Sequence, residues 1–327
     1  MEPITVITLI ISMAACLAAY IFKKLYSNKS HGGMTGVYVY SAIGCVVSAI
    51  VLIAWGGFQG ISVFTAVLGV LFGLAISLGE IFMIKALRSG PMSFTMVICS
   101  CSTIFTALSG FFFFSEQIGV FQLIGILFMV GSFIFATEKK DGEKGGGFKW
   151  LLFCALAFCC SAAIGFMQKT HQASVAHKEE INTFLILSFI VSFIFSLVLA
   201  LVTMKKEKQP LFEKKNGKIY WFVLIIMIAS GICVAANHKL NLGLSGQIDS
   251  AIFFPIVNGG NLVLTMLSAL IFFKEKLTKK QWIGVILGVI SVAFLCVSTD
   301  FDFNYSFSLT DIIEEPWSYV SFIEGIK

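Results

Sequence analysis

The sequence predicts an all-α integral membrane protein, ten transmembrane helices arranged as two inverted five-helix repeats. Three observations carry that expectation. Of 327 residues, 57% are hydrophobic and only 13% charged, with a mean hydropathy of +0.92, whereas a water-soluble chain of this size needs a larger charged surface. Apolar runs of spanning length, roughly 20 helical residues each, recur along the whole chain. And one stretch occurs twice: residues 106–136 and 265–295 share Thr106/Thr265, Ser109/Ser268, Phe113/Phe272, Glu116/Glu275, Gln122/Gln281, Gly125/Gly284 and Ser132/Ser291. A period near half the chain length means one duplicated unit, not a solenoid.

Taken in order, the runs fall at 4–22, 35–55, 61–87, 91–114 and 120–137, then at 149–168, 181–203, 219–241, 248–273 and 280–298. Each reads as a helix, because lipid offers no partner to an open strand's backbone and the runs are too continuous for barrel strands. The first run ends in Lys23 and Lys24 instead of starting with a basic leader. It therefore reads as a retained span, not a cleaved signal. Residues 138–148, charged and with three consecutive glycines, form a flexible linker. The organisation is thus a first repeat at 1–137, the linker, a second repeat at 149–298, and an acidic, aromatic tail at 299–327. Because five is odd, the second repeat enters the membrane upside down, a plan that secondary transporters use.

Lysine placement sets the orientation. Nineteen of the 23 lysines and arginines fall in the loops after the odd-numbered spans, leaving Lys169, Lys178, Lys239 and Lys327 for the opposite side. Positive charge stays in the cytoplasm, so both termini are expected outside and the net charge of +5 needs no nucleic acid to explain it. The nine cysteines lie in apolar runs without a second pair or histidine that completes a metal site, so they read as packing residues.

By these motifs the chain resembles the drug/metabolite transporter superfamily, in particular its ten-helix members built from two EamA-type repeats. The likeness rests on Ala86-Leu-Arg-Ser-Gly-Pro91 before the fourth span, on Phe114-Ser-Glu116 with Gln122-x-x-Gly125, and on Phe273-Lys-Glu275 with Gln281-x-x-Gly284. It covers residues 4–298. The resemblance implies a secondary transporter, often an exporter, of a small organic solute, working in the inner or plasma membrane without a cofactor. Two departures stand out: the first and sixth spans lack the carboxylate that four-helix multidrug relatives use, and the lysines put the termini outside, where many relatives have them inside.

Polar residues inside apolar runs are the candidate site. Glu80 is the one carboxylate deep in a span. An ionised acid there costs about 2.5–3.5 kcal/mol on insertion scales, so it is paired, protonated or facing water. One reading bonds a neutral Glu80 to Ser77 or to hydroxyls of the fourth span; the other makes it a proton- or amine-binding group in a central cavity, which would make a proton or another ion the coupling partner. Asn258 and Asn261 in the ninth span, after Pro255, and Ser100 and Thr103 in the fourth put polar midpoints on two related helices, as a substrate site would need; helix–helix hydrogen bonding is the alternative. Asn237, His238, Lys239 and Asn241 at the outer end of the eighth span, with Gln247 and Asp249 opening the ninth, are candidates for an outer gate or vestibule; snorkelling of the lysine and histidine to water is the alternative. Glu116 and Glu275 read as structural, each accepting hydrogen bonds near the start of the next helix, and Gln122 and Gln281 likewise. Gly69-x-x-x-Gly73 and Gly284-x-x-x-Gly288 allow close helix approach. His238 with Ser245 invites comparison with an intramembrane serine protease, but the Ser-Gly pair recurs as Ser89-Gly90 in a half without histidine. No other catalytic motif is present. The expected partners are a small-molecule substrate and the bilayer; a lipid-carrier flippase subunit is the alternative from another class.

Overall fold

The computed structural model describes residues 3–29, 33–89, 95, 98, 99, 101–116, 118–136, 147–207, 214, 215, 218, 219, 221–273 and 278–296. Its helices are α1 (Pro3–Lys29), α2 (Gly33–Gly56), α3 (Val63–Ser89), α4 (Ser102–Phe114), α5 (Val120–Ala136), α6 (Phe148–Ala173), α7 (Ile181–Glu207), α8 (Trp221–Ser245), α9 (Ser250–Phe273) and α10 (Lys279–Cys296). A two-residue antiparallel pairing, Lys214–Lys215 with Lys218–Ile219, lies between α7 and α8. Among the described residues seven helices, α1–α3 and α6–α9, are long and apolar enough to cross a membrane. The ten spans expected from the sequence are not all of that length: α5 has 17 residues and α4 has 13, or about 25 and 20 Å at 1.5 Å per residue. The first half of the fourth apolar run, including Ser100, lies largely outside the described residues.

Two boundary differences matter. The first helix runs six residues past Lys23, to Lys29, so Lys23 projects from a helix instead of a loop. Pro255 sits inside α9 without ending it, so the expected weakening at that point is not a break.

The largest helix contacts obey a simple rule, which the α9–α10, α5–α9, α6–α8 and α7–α8 contacts do not share. α1 lies on α8 as α6 lies on α3; α2 lies on α8 as α7 lies on α3; α1 meets α9 as α6 meets α4; and α2–α7, α4–α9 and α5–α10 each pair across the halves. Swapping the halves, helix n for helix n+5, maps every one of these pairs onto another or onto itself.

What holds the helices is glycine-permitted approach fastened by serine. Lipid supplies no hydrophobic force between helices, so close contact and interhelical hydrogen bonds carry the association. Ser188 and Ser192 on α7 donate to the carbonyls of Gly69 and Gly73 on α3 at 3.0 and 2.7 Å, and Ser48 on α2 donates to that of Gly231 on α8 at 2.8 Å. At the α5–α10 contact the bond is made twice: Ser132 to Gly284 O and Ser291 to Gly125 O, each 2.7 Å. These four residues are the two matched pairs of the sequence repeat. Phe72, Phe184, Phe189 and Leu52 form the fully buried core between α2, α3 and α7, while Ile7, Ile10, Ile11, Phe112 and Phe113 face outward, as lipid-facing residues do.

Candidate functional site: charged clusters at both ends of the bundle

The lysine-rich end carries the first cluster. Lys23 Nζ on α1 meets Glu80 Oε1 on α3 at 2.9 Å, and Ser41 on α2 donates to Glu80 Oε2 at 3.1 Å. Ser41 also bonds Ser196 on α7 at 3.2 Å, and beside it Tyr40 bonds Ser230 on α8 at 2.5 Å. Three helices, α1, α2 and α3, thus bond the ion pair, and Ser41 and Tyr40 tie α2 to α7 and α8 beside it. The pair's side chains are 58% (Lys23) and 27% (Glu80) exposed, although Glu80 lies nine residues, about 13 Å, from the end of α3. The neutral-acid reading is corrected here: Glu80 is paired with an ammonium, and Ser77 Oγ is buried without a partner. The sequence signal that finds Lys23 is its position, closing the first span as Lys169 closes the sixth.

Lys169 makes the second cluster, at the opposite end. A left-handed turn at Ser115 (φ 54°) ends α4, with the N–H of Glu116 bonded back to Gly110 O at 3.1 Å, and aims Glu116 across the halves. Its carboxylate forms an ion pair with Lys169 on α6 and accepts the N–H of Ser250, the first residue of α9, at 2.6 Å. Lys169 also donates to Ile248 O at 3.0 Å. Both side chains are about nine-tenths buried, at 9% and 10% exposure. Glu116 thus caps α9, not the next helix α5 as the sequence suggested. Gln122 does the local work, its Oε1 accepting Gly119 N at 2.9 Å, and Gln281 does the same for Thr278 N at 3.0 Å. Glu275 lies outside the described residues. Asp249 stands next to this cluster with an exposed side chain. Partial desolvation, then the Glu116 carboxylate, hold its carboxyl above the ordinary range, and Lys169 opposes them.

The remaining candidates do not converge. Asn237 Nδ2 donates to Ser12 O at 3.0 Å, and Asn241 accepts from Ser12 Oγ at 2.6 Å, joining α8 to α1. His238 packs edge-on against Phe72 and Phe189. Asp249 belongs to the other cluster, so Asn237, His238 and Asp249 occupy three places. Asn258 on α9 is exposed and Asn261 half-buried, with an unpartnered buried Oδ1; Asn258 stands one turn below Phe254, which lies against Gly165 of α6. Thr103 is buried.

Two features escaped the sequence. Gln59 and α7 clamp each other, Gln59 N–H to Thr183 Oγ1 at 2.9 Å and Asn182 N–H to Gln59 Oε1 at 3.1 Å, while Glu180 accepts the N–H and hydroxyl of Ser62 at 3.1 and 2.8 Å. Beside the clamp opens a cavity of about 420 Å³, with Lys239 in its wall.

Residues 148–297, from the start of α6 through α10, match the model of the EamA-like transporter family. This half of the chain belongs to the EamA-like family. No curated protein matches the sequence. A solved structure described only as "Crystal structure of protein" superposes with a TM-score of 0.68 over 90% of this chain and 97% of its own, at 13% identity; that likeness extends the shared fold to both halves and says nothing of activity. The apolar helices and the EamA-like match support a multi-pass membrane protein, and the match points to a membrane transporter of small molecules.

Proposed function

We propose that this chain is a secondary active transporter, an exporter of a small organic metabolite across the plasma membrane. In this reading all ten helices span, the halves are inverted five-helix repeats, both termini lie outside, and alternating access comes from exchange of the two halves' conformations. The symmetry of the largest helix contacts under that exchange supports the plan. The single observation that carries the mechanism is the Lys23–Glu80 pair, bonded by α1, α2 and α3 with α7 and α8 tied to α2 beside it. An in-span carboxylate is costly unless it has a partner, so whatever takes Lys23 away must bring a proton or a substrate cation to Glu80. That obligatory exchange is a coupling step. In this reading Asn258 and Asn261 on α9 and Thr103 on α4 belong to the substrate path.

The test begins with metabolite pools in cells lacking or overproducing the protein, which identifies a transported solute. Glu80→Gln keeps the shape and removes the titration. Export by that variant falls at least tenfold and loses its pH dependence, with the amount of folded protein unchanged. An unaltered rate with an unaltered pH profile removes Glu80 from the mechanism.

A further inference from the structure

We propose that the cavity beside Lys239 is a binding site for an anionic head group, a carboxylate or phosphate, borne by a small organic molecule or by a lipid of the same leaflet. The site is separate from the Lys23–Glu80 pair and the proposal does not depend on the transport reading.

The cavity lies at the end of the bundle opposite Glu80, between the first turns of α1, the loop before α3, the start of α7 and the end of α8. Thr5, Thr8, Gln59, Asn182, Lys239 and Gln247 give it its polar lining. At about 420 Å³ it falls within the range of small-ligand pockets, about 300–1,000 Å³. Lys239 lies six residues, about 9 Å, inside the end of α8, and no described carboxylate is within ion-pair distance of it. Its ammonium sits 4.4 Å from the centroid of the Trp55 ring. A cation–π contact steadies a cation without neutralising it, so the charge is positioned and still available to a counter-ion.

The surrounding groups match that counter-ion. Gln59 spends its Oε1 on Asn182 N–H, which leaves its amide N–H groups to donate. Asn182 is 1% exposed, and its Oδ1 is buried without a partner; with the amide turned over, an N–H stands at that position. Gln247 adds a third amide and Thr5 a hydroxyl, while Thr8 spends its own on Ile4 O at 2.8 Å. The acid of the lining, Glu179, is exposed on the short turn Lys178–Glu180 and stands at the rim, where solvent screens it. The neighbouring helix surface at Ile4 and Ile7 is strongly exposed and apolar, so an acyl chain could lie along α1 while its head group occupies the cavity. A free solute satisfies the same polar groups.

The experiment is binding to the full-length protein purified in a neutral detergent. Labelled succinate and labelled inorganic phosphate are titrated by scintillation proximity, and retention of phosphatidylglycerol against phosphatidylcholine is read by native mass spectrometry. Wild type shows saturable binding of at least one anionic probe. Lys239→Gln weakens it at least tenfold and Lys239→Arg retains it. Gly243 also lines the cavity, and a Cβ there meets nothing within 4 Å. Gly243→Leu therefore fills the space without touching the charge, and abolishes binding even if Lys239→Gln fails to fold. Response to succinate or phosphate assigns the site to a free solute; selective retention of phosphatidylglycerol assigns it to a lipid. Absence of saturable binding by every anionic probe overturns the proposal. So does binding that Lys239→Gln and Gly243→Leu leave unchanged.

Discussion

Removing Lys169 and removing Glu116 separately should together do more damage than removing both at once. Lys169 and Glu116 are about 90% buried, and breaking a buried pair from one side costs about 3–5 kcal/mol, because the remaining charge is stranded. Lys169→Met strands Glu116, with only the Ser250 N–H left to it, and also frees Ile248 O; its expected cost lies in that range. Glu116→Gln keeps an amide oxygen for Ser250 N–H and loses only the charge, but leaves Lys169 facing Asp249 and a carbonyl. About 2–3 kcal/mol is expected, in line with loss of a hydrogen bond to a charged group. The double variant carries no stranded charge, so its cost should fall below the sum of the singles by about 2 kcal/mol or more. Equilibrium unfolding in mixed micelles, run as a double-mutant cycle, reads the difference directly. Additivity within about 0.5 kcal/mol, the behaviour of independent sites, would refute the coupling on which the α4–α6–α9 cluster rests.

Three further outcomes are expected. Gly73→Ala places a methyl against the backbone carbonyl of Ser188 and 3.0 Å from Val191 Cβ, and should cost about 1–3 kcal/mol in thermal unfolding; Gly44→Ala, with nothing within 4 Å, should be tolerated, and equal effects would contradict the α3–α7 contact. Asp249 has a raised carboxyl pKa, so folding favours its protonated form and the folded state loses stability as pH rises through the raised value. Asp249→Asn should therefore melt higher than wild type at pH 7, with the gap closing below the unfolded aspartate value of about 3.9; a gap that widens on acidification contradicts the sign. Reporter fusions after Lys144 and Lys215 should read as cytoplasmic and a fusion at the C-terminus as external, and a cytoplasmic C-terminus would overturn the lysine-based orientation.

Much of the bundle was legible because it is written in composition and in a repeat. Apolar runs place helices to within a few residues, and the matched Gly125/Gly284 and Ser132/Ser291 pairs marked the repeat, though not that its two copies meet at the α5–α10 contact. The charged clusters were harder. Glu80 stood out because a carboxylate in an apolar run is conspicuous, but its partner did not: a lysine at the end of a run reads as a loop charge, and only the continuation of α1 to Lys29 turns Lys23 inward. Glu116 was recognised as structural but given the wrong helix, since its partner at Ser250 is 134 residues away and sequence reasoning favours local caps. Lys239 and Gln247 could be grouped at an outer vestibule from the sequence, but the rest of the cavity could not, for the same reason. Its walls come from four separated stretches, and no periodicity records their meeting.

The paired bonds between α5 and α10 have a consequence for ancestry and for asymmetry. A contact that returns to itself when the halves trade places has the form of an isologous dimer interface, with Ser132 and Ser291 each playing the residue that a homodimer would have to supply from both subunits. A separate repeat carrying that surface could assemble with its own copy, but any change would then appear twice. Tethered in one chain, the halves are free to differ: Glu80 exists in the first and Lys239 in the second. A two-fold machine can in this way acquire a single acidic station near one face and a single basic station near the other, a polarity that no true homodimer could encode.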